Sequence, residues 1–402
     1  MSINLRLSLP RTVIVLGFVS LLNDSASEMI TPLLPVFLTL TLGAGPGVVG
    51  LVEGIAEATA SILKLISGYL ADRGVNPRGL VLSGYSTSNV ARPLIGLAVG
   101  WWWVLLLRFL DRVGKGLRTA PRDAMIAVTT DAAQRGRAFG FHRALDNAGA
   151  MVGPLLAFAL LGMGLSMGHV FLASVLPGLL VIGLLVFGLP PEAARLAPPT
   201  EERDSQRPAR WRWQSLDARL KGLILASGGL ALATTPEAFL VLWAEARGLE
   251  VVWVPLIWAA ASAVKAVVAA PAGALSDHVG RLPVVVIGWT LRVGLLLALG
   301  LAGSETWVIW GLFLAYAGAL AFTEGAERAL IGDFAPERLR ATAFGVYHLV
   351  TGVFVLPGAV MFGLIWQWLG ERAAFSTAAV LTLLAAIAML VVLRLDRRHQ
   401  AG

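Results

Sequence analysis

The sequence predicts an all-α, polytopic membrane protein, with twelve transmembrane helices arranged as two six-helix bundles. Three observations lead there. Hydrophobic residues make up 57% of the 402-residue chain and charged residues 14%, and the mean hydropathy is +0.75; one soluble core cannot hide so much apolar surface. Apolar runs of about 20 residues, the length that crosses about 30 Å of hydrocarbon, recur from one end of the chain to the other. The two halves of the chain also match each other at a constant spacing.

The runs lie near 12–42, 48–71, 79–99, 101–127, 137–163, 167–189, 217–246, 251–275, 282–301, 305–330, 340–368 and 371–394. The first is too long for the apolar stretch of a signal peptide and lacks a small-residue cleavage site, so it reads as a true helix. Arginines punctuate the remainder. Arg6 and Arg11 precede the first run, Arg73 and Arg78 separate the second from the third, and Arg135 and Arg137 open the fifth. The stretch from Arg195 to Lys221 separates the sixth from the seventh, Arg281 opens the ninth, Arg338 and Arg340 open the eleventh, and Arg394 to Arg398 close the twelfth. All of these fall on one side of the membrane, with Arg247 and Arg372 the exceptions. Because Lys and Arg favour cytoplasmic loops, both termini are expected in the cytoplasm of a cell with this chain in its inner membrane. The net charge of +7 then reflects basic loops beside anionic lipid, and no nucleic-acid partner is expected. The chain has no Cys, which excludes disulfides and thiolate metal sites.

Residues 190–216, with the sequence PPEAARLAPPTEERDSQRPARWRW at their start, are Pro-rich and polar and read as a cytoplasmic linker. They divide a first bundle, 1–189, from a second, 217–402. Gly43 and Gly248, Gly68 and Gly273, Asp72 and Asp277, Trp102 and Trp307, Phe139 and Phe344, and Gly140 and Gly345 are each separated by 205 residues. A spacing that holds without gaps over about a hundred residues implies a duplicated bundle, with a site near the midplane where the repeats face each other.

On these residues the chain resembles the major facilitator superfamily along essentially its whole length. Gly68, Asp72 and Arg73 in GYLADR, and Gly273, Asp277, Gly280 and Arg281 in GALSDHVGR, are similar to the family's loop motif after the second helix of each half. The first copy departs from the pattern after Arg73. The resemblance implies a gating role: the glycine permits close approach, and the Asp and Arg lock helix ends on the cytoplasmic side. Gly140, Gly149, Gly153, Pro154 and Ala157 resemble the helix-five motif of proton-coupled drug exporters, with Ala157 where a glycine is usual. Gly149 and Gly153 form a GxxxG contact, and Pro154 bends the helix. The bland alternatives are a tight cytoplasmic turn and ordinary small-residue packing.

The fourth run carries the densest chemistry. Behind Trp101, Trp102 and Trp103 at the outer interface come Arg108, Asp111, Arg112, Lys115, Arg118, Arg122 and Asp123. Charge inside a bilayer is costly and marks ion or substrate paths. Asp111, Lys115, Arg118 and Arg122 share one helical stripe, which must face protein or water. Arg108 resembles the family's helix-four arginine, implicated in proton transfer, although Asp111 and Arg112 stand where Gln and Gly are usual. Asp24 and Glu28 on helix one, Glu53 and Glu57 on helix two, and Asp146 on helix five supply carboxylates. If a gate changes the burial or neighbours of a carboxylate, its proton affinity changes with conformation; a hundredfold change is about 2.7 kcal/mol, enough to couple one proton to switching. Asp24, Glu28, Asp111, Arg108, Glu57 and Asp146 are the coupling candidates. Arg112, Lys115, Glu324 and Glu327 are the substrate-cavity candidates, the last two on helix ten, which faces helix four in the family. Glu53, Lys64, Arg118 and Arg122 read as structural ion pairs. Lys265 and Arg292 lie near mid-membrane, as ligand contacts or structural partners.

No Walker motif, nucleophile elbow or HExxH pattern occurs, so the chain does not read as an enzyme or ATP-driven pump, and neither a cofactor nor a metal is expected. The expectation is a monomeric secondary transporter in the lipid bilayer that works by alternating access, exporting a small organic solute in exchange for protons. An importer of an anionic or metal-chelated solute, and a transporter-like receptor or scaffold, are the alternatives.

Overall fold

The computed structural model describes residues 9–72, 75–131, 134–190, 218–335 and 340–399. Each of the twelve expected runs is helical. Among the described residues, nine helices are long and apolar enough to cross a membrane by length and composition alone. Helices one, three and four do not meet that test, because the charged and polar residues that make them interesting also lower their hydropathy. The linker expected over 190–216 lies outside the described residues apart from Pro190.

Helix one runs over Arg11–Glu28, breaks into turns, and resumes as Leu34–Val36 and the wide-turned Phe37–Thr41. Helix two is Pro46–Asp72, helix three is Pro77–Leu94 with a tight final turn at Ile95–Leu97, and helix four is Trp101–Val128. Helix five is Arg135–Gly162. Helix six is assembled from Met167–Ala173, Val175–Gly183 and Leu184–Gly188. Helix seven is Ala218–Ala233, a break, then Glu237–Ala246. Helices eight to twelve are Val254–Val279, Arg281–Leu301, Thr306–Phe334, Arg340–Leu369 and Glu371–His399.

Spatial proximity groups the chain into two units. The first contains Met1–Ile30, Ile62–Ala98 and Leu106–Arg207; the second contains Thr31–Ser61, Val99–Leu105 and Pro208–Gly402.

In the first unit, helix five lies against helix one because glycines let it. A Cβ at Gly149 would strike the Leu21 carbonyl oxygen, and one at Gly153 would lie 2.5 Å from the Ser25 oxygen and 2.9 Å from the Glu28 Cβ. Gly17 answers from helix one, where a Cβ would meet Phe141 and Leu145 at 2.8 Å. Helix four is seated the same way: Gly114 meets Gly84 and Ser88 of helix three, Gly116 meets Leu63 of helix two, and Ser67 Oγ donates to the Gly116 oxygen at 2.7 Å. The core beneath includes Leu16, Val19, Tyr85, Ile126 and Val181, all fully buried or nearly so.

The second unit repeats this scheme at the spacing found in the sequence. Gly358, 205 residues after Gly153, meets the Leu232 carbonyl oxygen of helix seven. The glycines at 43 and 248 both have positive φ, 64° and 94°, a conformation that costs glycine little and other residues much. Both first helices of the repeats are interrupted at matching places, 29–33 and 234–236. The outer part of helix two also belongs to this unit. Cβ atoms at Gly50 and Gly54 would run into Ala359 and Leu356 of helix eleven, and one at Gly363 would run into Pro46.

Two outward arginines that break the charge rule have local causes. Arg247 pairs with Glu371 at 2.7 Å and lies 4.8 Å over the Trp243 ring, while Arg372 reaches the Gly300 carbonyl at 3.5 Å. They clip helix ends together.

Candidate functional site

Helix four turns its charges inward, as the stripe requires. Asp111 is fully buried and sits among three arginines: Arg92 Nε at 2.8 Å, Arg108 Nη1 at 3.7 Å and Arg112 Nε at 4.0 Å. Ser88 Oγ donates to the Asp111 carbonyl oxygen at 2.9 Å. A buried carboxylate in such surroundings is held by charge and has little freedom to exchange with a solute. Arg118 is 4% exposed, donates to Ser88 Oγ at 2.6 Å and stacks 4.5 Å over the Tyr85 ring. Arg122 pairs with its neighbour Asp123 at 2.8 Å.

Arg92 of helix three, which the sequence reading did not single out, links this hub to helix one. Its Nη1 donates to the Asn23 side-chain oxygen at 2.9 Å and to the Asn23 carbonyl at 3.1 Å. Asn89 Nδ2 also approaches that side-chain oxygen, at 3.3 Å. With two donors converging on Oδ1, the amide orientation is fixed and Nδ2 points the other way, donating to Asp24 Oδ1 at 2.9 Å. A continuous polar chain therefore runs from Asp111 through Arg92 and Asn23 to Asp24.

Asp24 in turn meets Asp146 of helix five, and the two carboxyls lie within hydrogen-bonding reach of each other. Asp146 also accepts from Ser20 Oγ at 2.6 Å and from Arg143 Nη1 at 3.1 Å. Lys115 lies within electrostatic reach of Asp24. Glu28 sits one turn farther along helix one, beside the break and against Gly153. Of the coupling candidates, then, Asp24, Glu28, Asp146, Arg108 and Asp111 all fall in the first unit, with the first three lining the helix-one and helix-five contact. Glu57 is exposed and belongs to the second unit. Arg112, expected to touch solute, is 8% exposed and sits with the Asp111 cluster.

The second unit holds a cavity of about 320 Å³ between helices seven to eleven. Its wall includes Thr234 and Glu237 at the helix-seven break, Lys265, Arg292, Glu324, Glu327, Tyr347 and Thr351. Glu237 and Lys265 form an ion pair. Glu327 accepts from Trp289 Nε1 at 2.6 Å, and Glu324 pairs with Arg328 at 2.5 Å. Glu324 and Glu327 of helix ten both line this cavity.

The second loop motif is complete in structure. Gly280 has φ 95° and starts helix nine; Arg281 pairs with Asp277 and reaches Asp333 at 3.3 Å and Ser276 Oγ at 3.1 Å. It ties adjoining ends of helices eight, nine and ten together. Among the described residues, nothing from another helix lies within 4 Å of where a Cβ at Gly273 or Gly140 would be. Arg73 and the surroundings of Gly68 and Asp72 lie outside the described residues.

The profile of the Major Facilitator Superfamily matches residues 16–269 and 254–402. This chain belongs to that superfamily. An MFS-type transporter of Methanocaldococcus jannaschii is 31% identical over 391 residues, covering 96% of this chain and 95% of the relative. The multidrug resistance protein MdtH of Photorhabdus laumondii is 29% identical over 150 residues, 37% of this chain and 35% of the relative. A bacterial homologue of the human lysosomal transporter Spinster, solved in an inward-facing, occupied conformation, superposes with a TM-score of 0.78 at 17% identity, covering 95% of this chain and 96% of that one. This facilitator is therefore a multi-pass membrane transporter of a small-molecule solute.

Arg92, Asn23 and Trp289 were not flagged from the sequence. Arg92 carried a signal, as a charge within an otherwise uncharged apolar run, but Asn23 and Trp289 gain their importance only from what they touch.

Proposed function

We propose that this facilitator is a proton-coupled exporter of a small organic solute in the inner membrane, with cytoplasmic termini, in which Asp24 and Asp146 carry the coupling proton. The observation that carries the reading is the meeting of these two carboxyls across the glycine-packed contact of helices one and five. Two carboxyls that close can share one proton, and any movement of helix five against helix one separates them. The proton's occupancy thereby depends on the conformation, which is what coupling requires. The Asp111 cluster is assigned a structural role, anchoring helix four to helix three and orienting Asn23 toward Asp24. The partial likeness to MdtH favours export over import. In this scheme the loop motif around Arg281 secures the cytoplasmic ends in one of the two states.

Everted membrane vesicles with an acidic interior, monitored by a pH-sensitive dye, test the assignment against a panel of cationic, zwitterionic and anionic solutes. The expected result is solute-dependent proton efflux from vesicles containing this protein, absent with Asp24→Asn. Uptake of solute by whole cells, with no proton movement in vesicles, would point to import and overturn the proposal.

A further inference from the structure

In the second unit's cavity, one cation forms no ion pair among the described residues. Arg292 of helix nine contributes to the cavity wall yet is only 5% exposed. Its Nε and Nη2 have no hydrogen-bond partner among the described residues, and its guanidinium carbon lies 5.6 Å from the centre of the Tyr316 ring. The Tyr316 hydroxyl is likewise buried and without a partner. A buried guanidinium is costly unless a counter-charge compensates it. Two other carboxylates of the cavity are paired with cations, Glu237 with Lys265 and Glu324 with Arg328, whereas Glu327 accepts from the neutral Trp289 indole.

We propose that Arg292 is the anion-recognising contact of this cavity, and that the solute is amphoteric, placing a carboxylate on Arg292 and an amine toward Glu327. This rests on the reading of the chain as a solute carrier and names the class of solute. Nε–H and Nη2–H project from one edge of the guanidinium and match the two oxygens of a carboxylate, so a swing of the side chain into the cavity satisfies both. Glu327 receives Trp289, which precedes Arg292 by three residues on the same helix, about 4.5 Å along its axis. The two poles are thus about one turn apart, the separation a compact zwitterion spans. The cavity volume also suits a small molecule.

The test uses the full-length protein in detergent, tryptophan fluorescence, and three matched probes: 4-(aminomethyl)benzoate, its methyl ester and 4-methylbenzoate. The zwitterion should bind with saturation and about tenfold or more tightly than either relative, the difference expected for one charge-assisted contact. Arg292→Gln should remove the advantage over the ester, and Glu327→Gln the advantage over 4-methylbenzoate. Arg292→Lys should retain a reduced preference for the carboxylate, which separates recognition from a folding defect in the Gln variant. Absence of saturable binding by the zwitterion, or an unchanged zwitterion-to-ester ratio in Arg292→Gln, would overturn the proposal. Binding requires no gradient, so failure of proton exchange with binding intact would remove the coupled-export reading and leave this one standing.

Discussion

Two aspartates of the first unit sit in contrasting surroundings and are assigned different proposed roles. Asp111 is the carboxylate shared by the buried Arg92, Arg108 and Arg112, and removing it takes a buried counter-charge from all three. Asp111→Ala should therefore destabilise the protein by about 3–5 kcal/mol, seen as a lower thermal midpoint in detergent and poor recovery from membranes. Replacing Arg92 and Asp111 together by Leu should recover part of that loss. Asp24→Asn keeps the shape of the side chain and its contact with Asn23, so its thermal midpoint should stay near that of the wild type while proton-driven transport disappears. The sequence made all these charges visible, but not which neighbours they have. A fully enclosed Asp111 and a half-buried Asp24 look alike on paper, because burial depends on helix three and helix five, which are distant in the chain.

At the level of helices, small residues set how closely neighbours approach. Gly153→Leu should force helix five away from Ser25 and Glu28 and abolish transport, whereas Gly140→Ala, with open space around it, should transport normally. Parallel flux assays on the two variants would separate the packing glycine from the one that only matches a motif. Gly50→Leu would push the outer half of helix two off Ala359 of helix eleven, and should lower turnover without reducing expression. The positions of the helices were readable from the apolar runs. The breaks at 29–33 and 234–236 were not, since hydropathy averages over a window and is insensitive to local unwinding. Pro236 was the available clue, as the fixed φ of proline ends a helix or starts a new one.

For the whole molecule, the duplication was the most legible feature, because a constant spacing of 205 residues survives divergence of side chains. It reappears as paired positive-φ glycines at 43 and 248, paired breaks in helices one and seven, and the paired contacts of Gly153 and Gly358. The two copies have nevertheless taken on different chemistry. Arg122 and Asp123 of the first correspond to Glu327 and Arg328 of the second; the former pair with each other, while Glu327 turns to Trp289 on the cavity wall. That difference accords with the proposed division of labour between a proton site in the first unit and a solute cavity in the second. The most direct test compares two modes of transport in proteoliposomes, using a solute that answers in the vesicle assay. Asp24→Asn should retain exchange of labelled for unlabelled solute while losing accumulation driven by a proton gradient. Undiminished gradient-driven accumulation by that variant would contradict the account.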